Sequence, residues 1–191
     1  LCEEINKLQK ALEEAGYAPK NLNVGGGLGI DYEQPQNHLI PDFSGYFSIF
    51  KNHLKPLNGQ QVHFELGRSI IGQTGSLISR VLYVKDTTTK KFAIIDAGMS
   101  DFMRPALYSS VHHIDNLTSK GPMNLYEVVG PICESTDSFG NISLNEVIRG
   151  DLLKIWSTGA YGTVLSSKYN LRDKAENYYS DEVDLHTIIN S

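Results

Sequence analysis

Cysteines, basic clusters and long hydrophobic runs are all scarce in this sequence, and each scarcity excludes a class of protein. Two cysteines, Cys2 and Cys133, stand among 191 residues, which argues against a disulfide scaffold and is compatible with a reducing cytoplasm. No uncharged apolar run approaches the roughly 18 residues of a membrane span. With 17 basic and 22 acidic residues, a formal net charge of −5 and no basic block, the chain is a poor candidate for nucleic-acid binding.

Metal-binding patterns are missing as well. The six histidines show no ligand spacing, and the adjacent His112 and His113 point apart on a helix or a strand, so no metal site is predicted. The composition is otherwise ordinary, with 40% hydrophobic and 20% charged residues, which excludes intrinsic disorder and allows a real core. The sequence begins at Leu1 without an initiator methionine, inside a helical pattern, and we expect it to be a piece of a longer protein.

The first 70 residues alternate between helical and strand patterns. Apolar residues at helical spacing predict a helix over residues 3–15 and a second over 43–54. Short apolar runs predict strands at residues 21–24 and 61–66. Because strands that alternate with helices are typical of parallel sheets, this part is predicted to be α/β.

After about residue 74 the pattern changes to short β-branched and apolar runs separated by turn-prone stretches. We predict a mostly antiparallel β domain from there to the end, with no helix longer than two turns. The last stretch, Asp181–Ser191, is too short to classify and is either a strand or a tail. The predicted strands are Leu77–Lys85, Phe92–Asp96, Tyr126–Val129 and Asp151–Trp156, and the predicted turns are Asp86–Lys90, Ser119–Pro122 and Phe139–Asn141.

Two candidate anion sites follow the two predicted strands of the first part. Gly25, Gly26 and Gly27 open a GGGLG loop, in which backbone N–H groups can approach an anion closely. Glycine turns after strands are common, however, and neither a P-loop lysine nor dinucleotide-type spacing is present. Arg68 follows the second strand and is able to grip a carboxylate or phosphate, although a surface ion pair with Glu65 is the simpler interpretation.

Three further candidates lie in the predicted β domain. Arg104 and Tyr108 share a face if a helical turn starts near Pro105, which would form a clamp for a carboxylate; a solvated arginine and a half-buried tyrosine are the alternative. Tyr161 stands between small residues that would let its hydroxyl reach a ligand, although an ordinary turn that binds no ligand would show the same pattern.

Cys133 follows a Gly-Pro turn in what we expect to be an exposed loop. The neighbouring acids, Glu134 among them, disfavour a thiolate, so a proton-donating thiol is more plausible than a nucleophile.

In this order, the motifs resemble the alanine-racemase-like (fold type III) family of pyridoxal-phosphate-dependent decarboxylases. The resemblance covers most of the chain from residue 21 onward. The matching runs are NLNVGGGLGI at 21–30, FELGRS at 64–69, DAGMSDFMRPALY at 96–108, VVGPICESTD at 128–137, and GDLLKIWSTGAYG with SSKYNLR at 150–172.

The resemblance implies an α+β fragment of a two-domain enzyme. Residues 1–72 would be the last βα elements of a (β/α)8 barrel that binds pyridoxal 5'-phosphate. Residues 73–191 would be the C-terminal β domain, a barrel or a sandwich. The lysine that forms the Schiff base lies in an early barrel strand of relatives, and no lysine here matches it, so the chain alone is expected to be inactive. The implied reaction converts meso-2,6-diaminopimelate into L-lysine and CO2. A related decarboxylase of another basic amino acid and a non-catalytic binding or dimerisation domain are the alternatives.

The resemblance also implies residue roles. Cys133 would be the proton donor, supplied with Glu134 across a homodimer interface. One departure is Leu66, where the family usually has proline. The implied cofactor-binding residues are Gly25, Gly26, Gly27, Glu65, Gly67, Arg68 and Tyr161, and the implied substrate-binding residues are Arg68, Arg104, Tyr108, Glu134 and Tyr161.

Overall fold

The computed structural model describes residues 1–181. The prediction for Asp181–Ser191 therefore falls outside the described residues, except for Asp181 itself. The helices are α1 Cys2–Glu14, α2 Phe43–His53, α3 Gly67–Ile71, α4 Arg104–Tyr108 and α5 Gly162–Leu165. The strands are β1 Asn21–Asn23, β2 Gln61–His63, β3 Leu77–Asp86, β4 Lys91–Ile95, β5 Ile114–Asn116, β6 Met123–Val129, β7 Ser138–Asn145 and β8 Leu152–Ile155.

The first part of the chain pairs two short parallel strands and covers them with helices. β1 and β2 run parallel, with Leu22 opposite Val62, which confirms the predicted parallel arrangement. Asp42 begins α2 by accepting the backbone N–H of Gly45 at 2.8 Å, the usual way in which an aspartate satisfies a free N–H at a helix start. Phe50 of α2 packs with the rest of an apolar cluster that consists of Cys2, Val24, Phe50 and Leu54. Both predicted helices are confirmed within one or two residues.

The second part is a six-stranded mixed sheet in the order β5-β8-β3-β4-β6-β7. All neighbouring pairs are antiparallel except β4 and β6, which run parallel, so the mostly antiparallel prediction is confirmed with one exception. The edge strands β5 and β7 lie against each other, and the sheet nearly closes into a barrel. Its interior holds fully buried side chains from most strands, including Val81, Ile95, Val128, Leu144 and Leu153.

One predicted turn is wrong. Phe139–Asn141 lies inside β7, where Phe139 is buried in the barrel and Asn141 is exposed. Gly140 adopts φ +98° next to an irregularity in the register with β6. The glycine therefore marks a bulge within a strand rather than a chain reversal.

A close backbone contact joins the two parts. Thr158 N–H donates to the carbonyl of Gly75 at 2.9 Å, and Gly159 N–H donates to that of Gly72 at 3.0 Å. A Cβ on Gly75 would lie 2.7 Å from the Cα of Gly159, so the approach requires glycine on both sides. This contact brings the segment after β8, with Tyr161, beside the start of α3. Among the described residues, no helix combines the length and hydrophobicity needed to cross a membrane.

Candidate active site

A cavity of about 640 Å³ opens between the glycine loop, the start of α3 and α4. Its volume is in the range of small-molecule sites in enzymes. Seven of the residues predicted from the sequence line it together: Gly27, Glu65, Gly67, Arg68, Arg104, Tyr108 and Tyr161. Leu28, Leu66, Ser69, Ser110 and Leu165 complete the lining.

The glycine loop is shaped for close approach of backbone groups. Gly25 and Gly27 adopt φ +74° and +109°, values that side chains with a Cβ tolerate poorly. A Cβ on Gly26 would overlap the carbonyl oxygen of Glu65, and Tyr46 Oη donates to the Gly26 carbonyl at 2.9 Å. Within residues 1–181 the N–H groups of Gly26 and Gly27 have no protein partner. Free N–H groups in a left-handed loop form a cradle that fits a phosphate.

Glu65 supports this loop and does not pair with Arg68. Its Oε1 accepts the Asn23 amide at 2.6 Å, and the Asn23 Oδ1 accepts the Gly25 N–H at 2.8 Å. Glu65 N–H also donates to the Gly25 carbonyl at 2.8 Å. In the described part of the chain Arg68 forms no ion pair, so the simple surface pair with Glu65 is wrong.

Arg104 is buried at the cavity, so the alternative of a solvated arginine is wrong as well. The side chain is 6% exposed, and its Nη2 donates to the Tyr32 hydroxyl at 3.1 Å. The guanidinium carbon lies 5.5 Å from the ring centre of Tyr108 and 5.9 Å from that of Tyr161. No carboxylate among residues 1–181 is within ion-pair distance, and Nε has no hydrogen-bond partner there. A buried cation without an acid is poised for an anionic ligand.

Tyr161 reaches the cavity from the joining segment. It adopts φ +62°, which is uncommon for a residue with a side chain. Its hydroxyl lies 4.0 Å from the position of a Cβ on Gly67. The Tyr161 hydroxyl therefore lies close to the backbone at the start of α3, at ordinary contact distance.

Cys133 and Glu134 are not part of this cavity's lining in the described chain. They lie on the loop between β6 and β7, and the Cys133 thiol is exposed, as predicted. Tyr169 Oη donates to Glu134 Oε1 at 2.6 Å, and this hydrogen bond raises the pKa of the Tyr169 hydroxyl. Asp137 anchors the loop to the segment before Arg104. Gly25 and Gly26 are the other predicted site residues outside this lining in residues 1–181.

Four residues that support the site escaped the analysis of the sequence. Tyr32 contacts Arg104, Asp137 anchors the Cys133 loop, Tyr169 binds Glu134, and His112 lies behind Tyr32. Tyr32 follows the glycine loop directly, and Asp137 and Tyr169 stand in the conspicuous VVGPICESTD and SSKYNLR runs, but no periodicity or spacing distinguishes them. In residues 1–181 no group of three His, Cys, Asp or Glu residues is arranged for a metal ion.

The fold and the site define a class of protein. Residues 22–159 match the model of the family described as "Pyridoxal-dependent decarboxylase, C-terminal sheet domain", and the chain belongs to this family. Two similar relatives are both named diaminopimelate decarboxylase. A diaminopimelate decarboxylase of Bacteroides thetaiotaomicron is 53% identical over 184 residues, which are 96% of this chain and 48% of the relative. One of Zymomonas mobilis is 39% identical over 90% of this chain and 40% of its own length.

Solved structures agree with these sequence relatives. The crystal structure of diaminopimelate decarboxylase from Helicobacter pylori complexed with L-lysine superimposes with a TM-score of 0.76 at 38% identity, over 88% of this chain and 41% of that one. A crystal structure of a protein from Aquifex aeolicus gives a TM-score of 0.81 at 38% identity, over 91% and 43% of the two chains. The chain spans about half the length of the curated relatives it matches.

Proposed function

We propose that this chain is the C-terminal part of a pyridoxal-phosphate-dependent diaminopimelate decarboxylase, which converts meso-2,6-diaminopimelate into L-lysine and CO2. The observation that carries the proposal is Arg104, a buried cation that lines a cavity of about 640 Å³ and has no carboxylate partner among residues 1–181. Relatives named for this activity support the same substrate. Residues 1–72 would complete a (β/α)8 barrel, and residues 73–191 would be the C-terminal β domain, each with its own apolar cluster.

The residues present fit the cofactor. The N–H groups of Gly26 and Gly27, which have no partner in the described part of the chain, are suited to its phosphate. Gly67 lies on the facing segment, and Gly25 shapes the loop. Glu65 keeps that loop in place, and the other two predicted cofactor residues, Arg68 and Tyr161, line the same cavity. When bound, pyridoxal 5'-phosphate supplies an electron sink for the electron pair left by the departing CO2. The lysine that anchors it would come from the rest of the whole protein, so this chain alone would be inactive.

The second carboxylate of the substrate is the feature that this chain's cations would select. Arg104 donates a hydrogen bond to Tyr32, and its guanidinium carbon lies 5.5 Å from the ring centre of Tyr108. Arg68 lines the same cavity from α3 and provides a second cation, and the Tyr161 ring centre lies 5.9 Å from the Arg104 guanidinium carbon. A substrate without this carboxylate would leave buried donors unpaired, which penalises it strongly.

The last step needs one proton, and we assign it to the Cys133 thiol. A protonated Sγ–H would donate to the carbon that lost CO2, and Glu134 would hold the distal amine of the substrate. Because neither residue lines the cavity that residues 1–181 of its own chain form, we propose that both act at the cavity of the partner subunit in a homodimer. The exposed free thiol is consistent with a cytoplasmic location.

The test is release of CO2 from meso-diaminopimelate by the full-length protein loaded with cofactor. Lysine, ornithine and arginine should be poor substrates, because each lacks the second carbon of diaminopimelate that carries both an amine and a carboxylate. Arg104→Met should abolish turnover, whereas the matched change at an exposed arginine, Arg149→Met, should not. Cofactor binding without release of CO2 from any of these substrates would favour the non-catalytic alternative.

A further inference from the structure

Arg104 is oriented by a side chain that does not itself belong to the lining of the cavity in the described chain. The Tyr32 hydroxyl accepts a hydrogen bond from Arg104 Nη2 at 3.1 Å, and the guanidinium carbon lies 5.7 Å from the Tyr32 ring centre. A hydrogen bond and a ring contact together restrict a side chain that otherwise has many rotamers.

Tyr32 is in turn fixed from behind. Its carbonyl accepts the backbone N–H of His113 at 3.0 Å, and its ring meets the His112 ring edge-on, with centres 4.7 Å apart. His112 is 2% exposed, packs edge-on against Phe102 at 4.8 Å, and has its Nδ1 2.9 Å from the Trp156 carbonyl. The tyrosine therefore rests on the entry to β5 and on the segment that follows β8.

The histidine supports this arrangement without adding charge. Burial lowers the pKa of His112 to about 4, so the ring is neutral near pH 7 and does not repel Arg104. In the neutral ring, the contact with the Trp156 carbonyl places the single ring proton on Nδ1, because a carbonyl only accepts a hydrogen bond. This leaves Nε2 aprotic, and it has no partner among residues 1–181.

We propose that Tyr32 is a positioning residue that aims Arg104 at the distal carboxylate, and that it thereby determines selection for substrates with that carboxylate. The inference rests on the proposed function, because it takes the anion at Arg104 to be this carboxylate. Tyr32→Phe removes only the hydroxyl and keeps the ring against His112, so the fold is retained. Tyr17→Phe, at an exposed tyrosine of the first part, is the matched control.

Two ligands separate positioning from general damage. L-lysine carries the distal carboxylate, whereas cadaverine has the same chain and two amines but no carboxylate. Calorimetry on the full-length holoenzyme should show that Tyr32→Phe weakens L-lysine binding about tenfold, the cost of losing one hydrogen bond to a charged group. Cadaverine binding should stay within about twofold. For diaminopimelate, KM should rise by the same factor as the lysine dissociation constant, with kcat nearly unchanged.

The outcomes distinguish this inference from the proposed function. Equal L-lysine affinities for the wild type and Tyr32→Phe would overturn the role of Tyr32, whether or not the wild type releases CO2. A parallel loss of cadaverine affinity and kcat would also overturn it, because the change would then have damaged the whole site. A wild type that binds L-lysine and responds to Tyr32→Phe, but releases no CO2, would uphold the inference and refute the enzymatic activity.

Discussion

The carboxylate of Asp137 accepts the backbone N–H of Met99 at 2.6 Å, and so ties the loop of Cys133 to the loop that leads into Arg104. Its second oxygen accepts the N–H of Ile132 at 2.7 Å. A Cβ on the neighbouring Gly130 would overlap this carboxylate. Burial raises the pKa of the Asp137 carboxyl, which the two N–H bonds oppose. One buried acid thus organises two segments that each carry a proposed site residue.

Asp137→Asn should lower the free energy of unfolding by about 1–3 kcal/mol, because an amide NH2 replaces one of two acceptors and faces a buried backbone donor. Urea unfolding of the chain measures the loss. The control is Asp173→Asn, whose side chain is 99% exposed, and it should change stability by less than about 0.5 kcal/mol. Equal effects of the two substitutions would show that Asp137 does not hold the loops together.

His112 should make the fold sensitive to mild acid. Its folded pKa is about 4 and its ordinary value is 6.5, so between these pH values the unfolded chain binds a proton that the folded chain does not. The contribution of the neutral His112 ring to the free energy of unfolding is therefore fully present above pH 6.5. It is lost as the pH is lowered toward 4, by about 3 kcal/mol in total.

The check is the difference in unfolding free energy between pH 7 and pH 4.5. His112→Gln has no titrating ring and should lose about 2–3 kcal/mol less than the wild type over this range. His53→Gln, at the exposed end of α2, is the control and should follow the wild type. If the His112 variant and the wild type lose stability in parallel, the ring is not kept neutral by burial.

Local patterns predicted much of this fold, and contacts between distant segments account for what they missed. The helices over 3–15 and 43–54 follow from the spacing of apolar residues, which is visible within one short stretch of sequence. Tyr32 and Arg104 are 72 positions apart, and Met99 and Asp137 are 38 apart, so no window of sequence contains both partners.

The error at Phe139–Asn141 has a similar cause. Within a short window of sequence, a glycine indicates a turn. Here the segment around Gly140 pairs with β6 and is therefore a strand with a bulge. For the site, the motifs identified seven of the residues that line the cavity in the described chain, whereas the residues that hold them in place are recognisable only in three dimensions.

Gly26→Ala should weaken cofactor binding by the full-length protein at least about tenfold, since the new Cβ overlaps the Glu65 carbonyl and forces the two loops apart. Gly29→Ala in the same loop is the matched control, because a Cβ there meets nothing within 4 Å. Titration of each variant with pyridoxal 5'-phosphate, followed by absorbance, gives the affinities. Similar affinities for the two alanine variants would contradict the assignment of Gly26 to the phosphate cradle.

A mixture of two inactive variants should recover activity if the site is shared between subunits. In a heterodimer of Cys133→Ser with Arg104→Met, one cavity keeps Arg104 and receives Cys133 from the other chain, while the second cavity lacks both. Random pairing in equal amounts should therefore restore about a quarter of the wild-type rate of CO2 release. Arg68→Met mixed with Arg104→Met is the control, because both changes affect the cavity side and each cavity of that heterodimer stays damaged. If the Cys133→Ser mixture remains as inactive as its parents while heterodimers form, the thiol does not serve the neighbouring cavity.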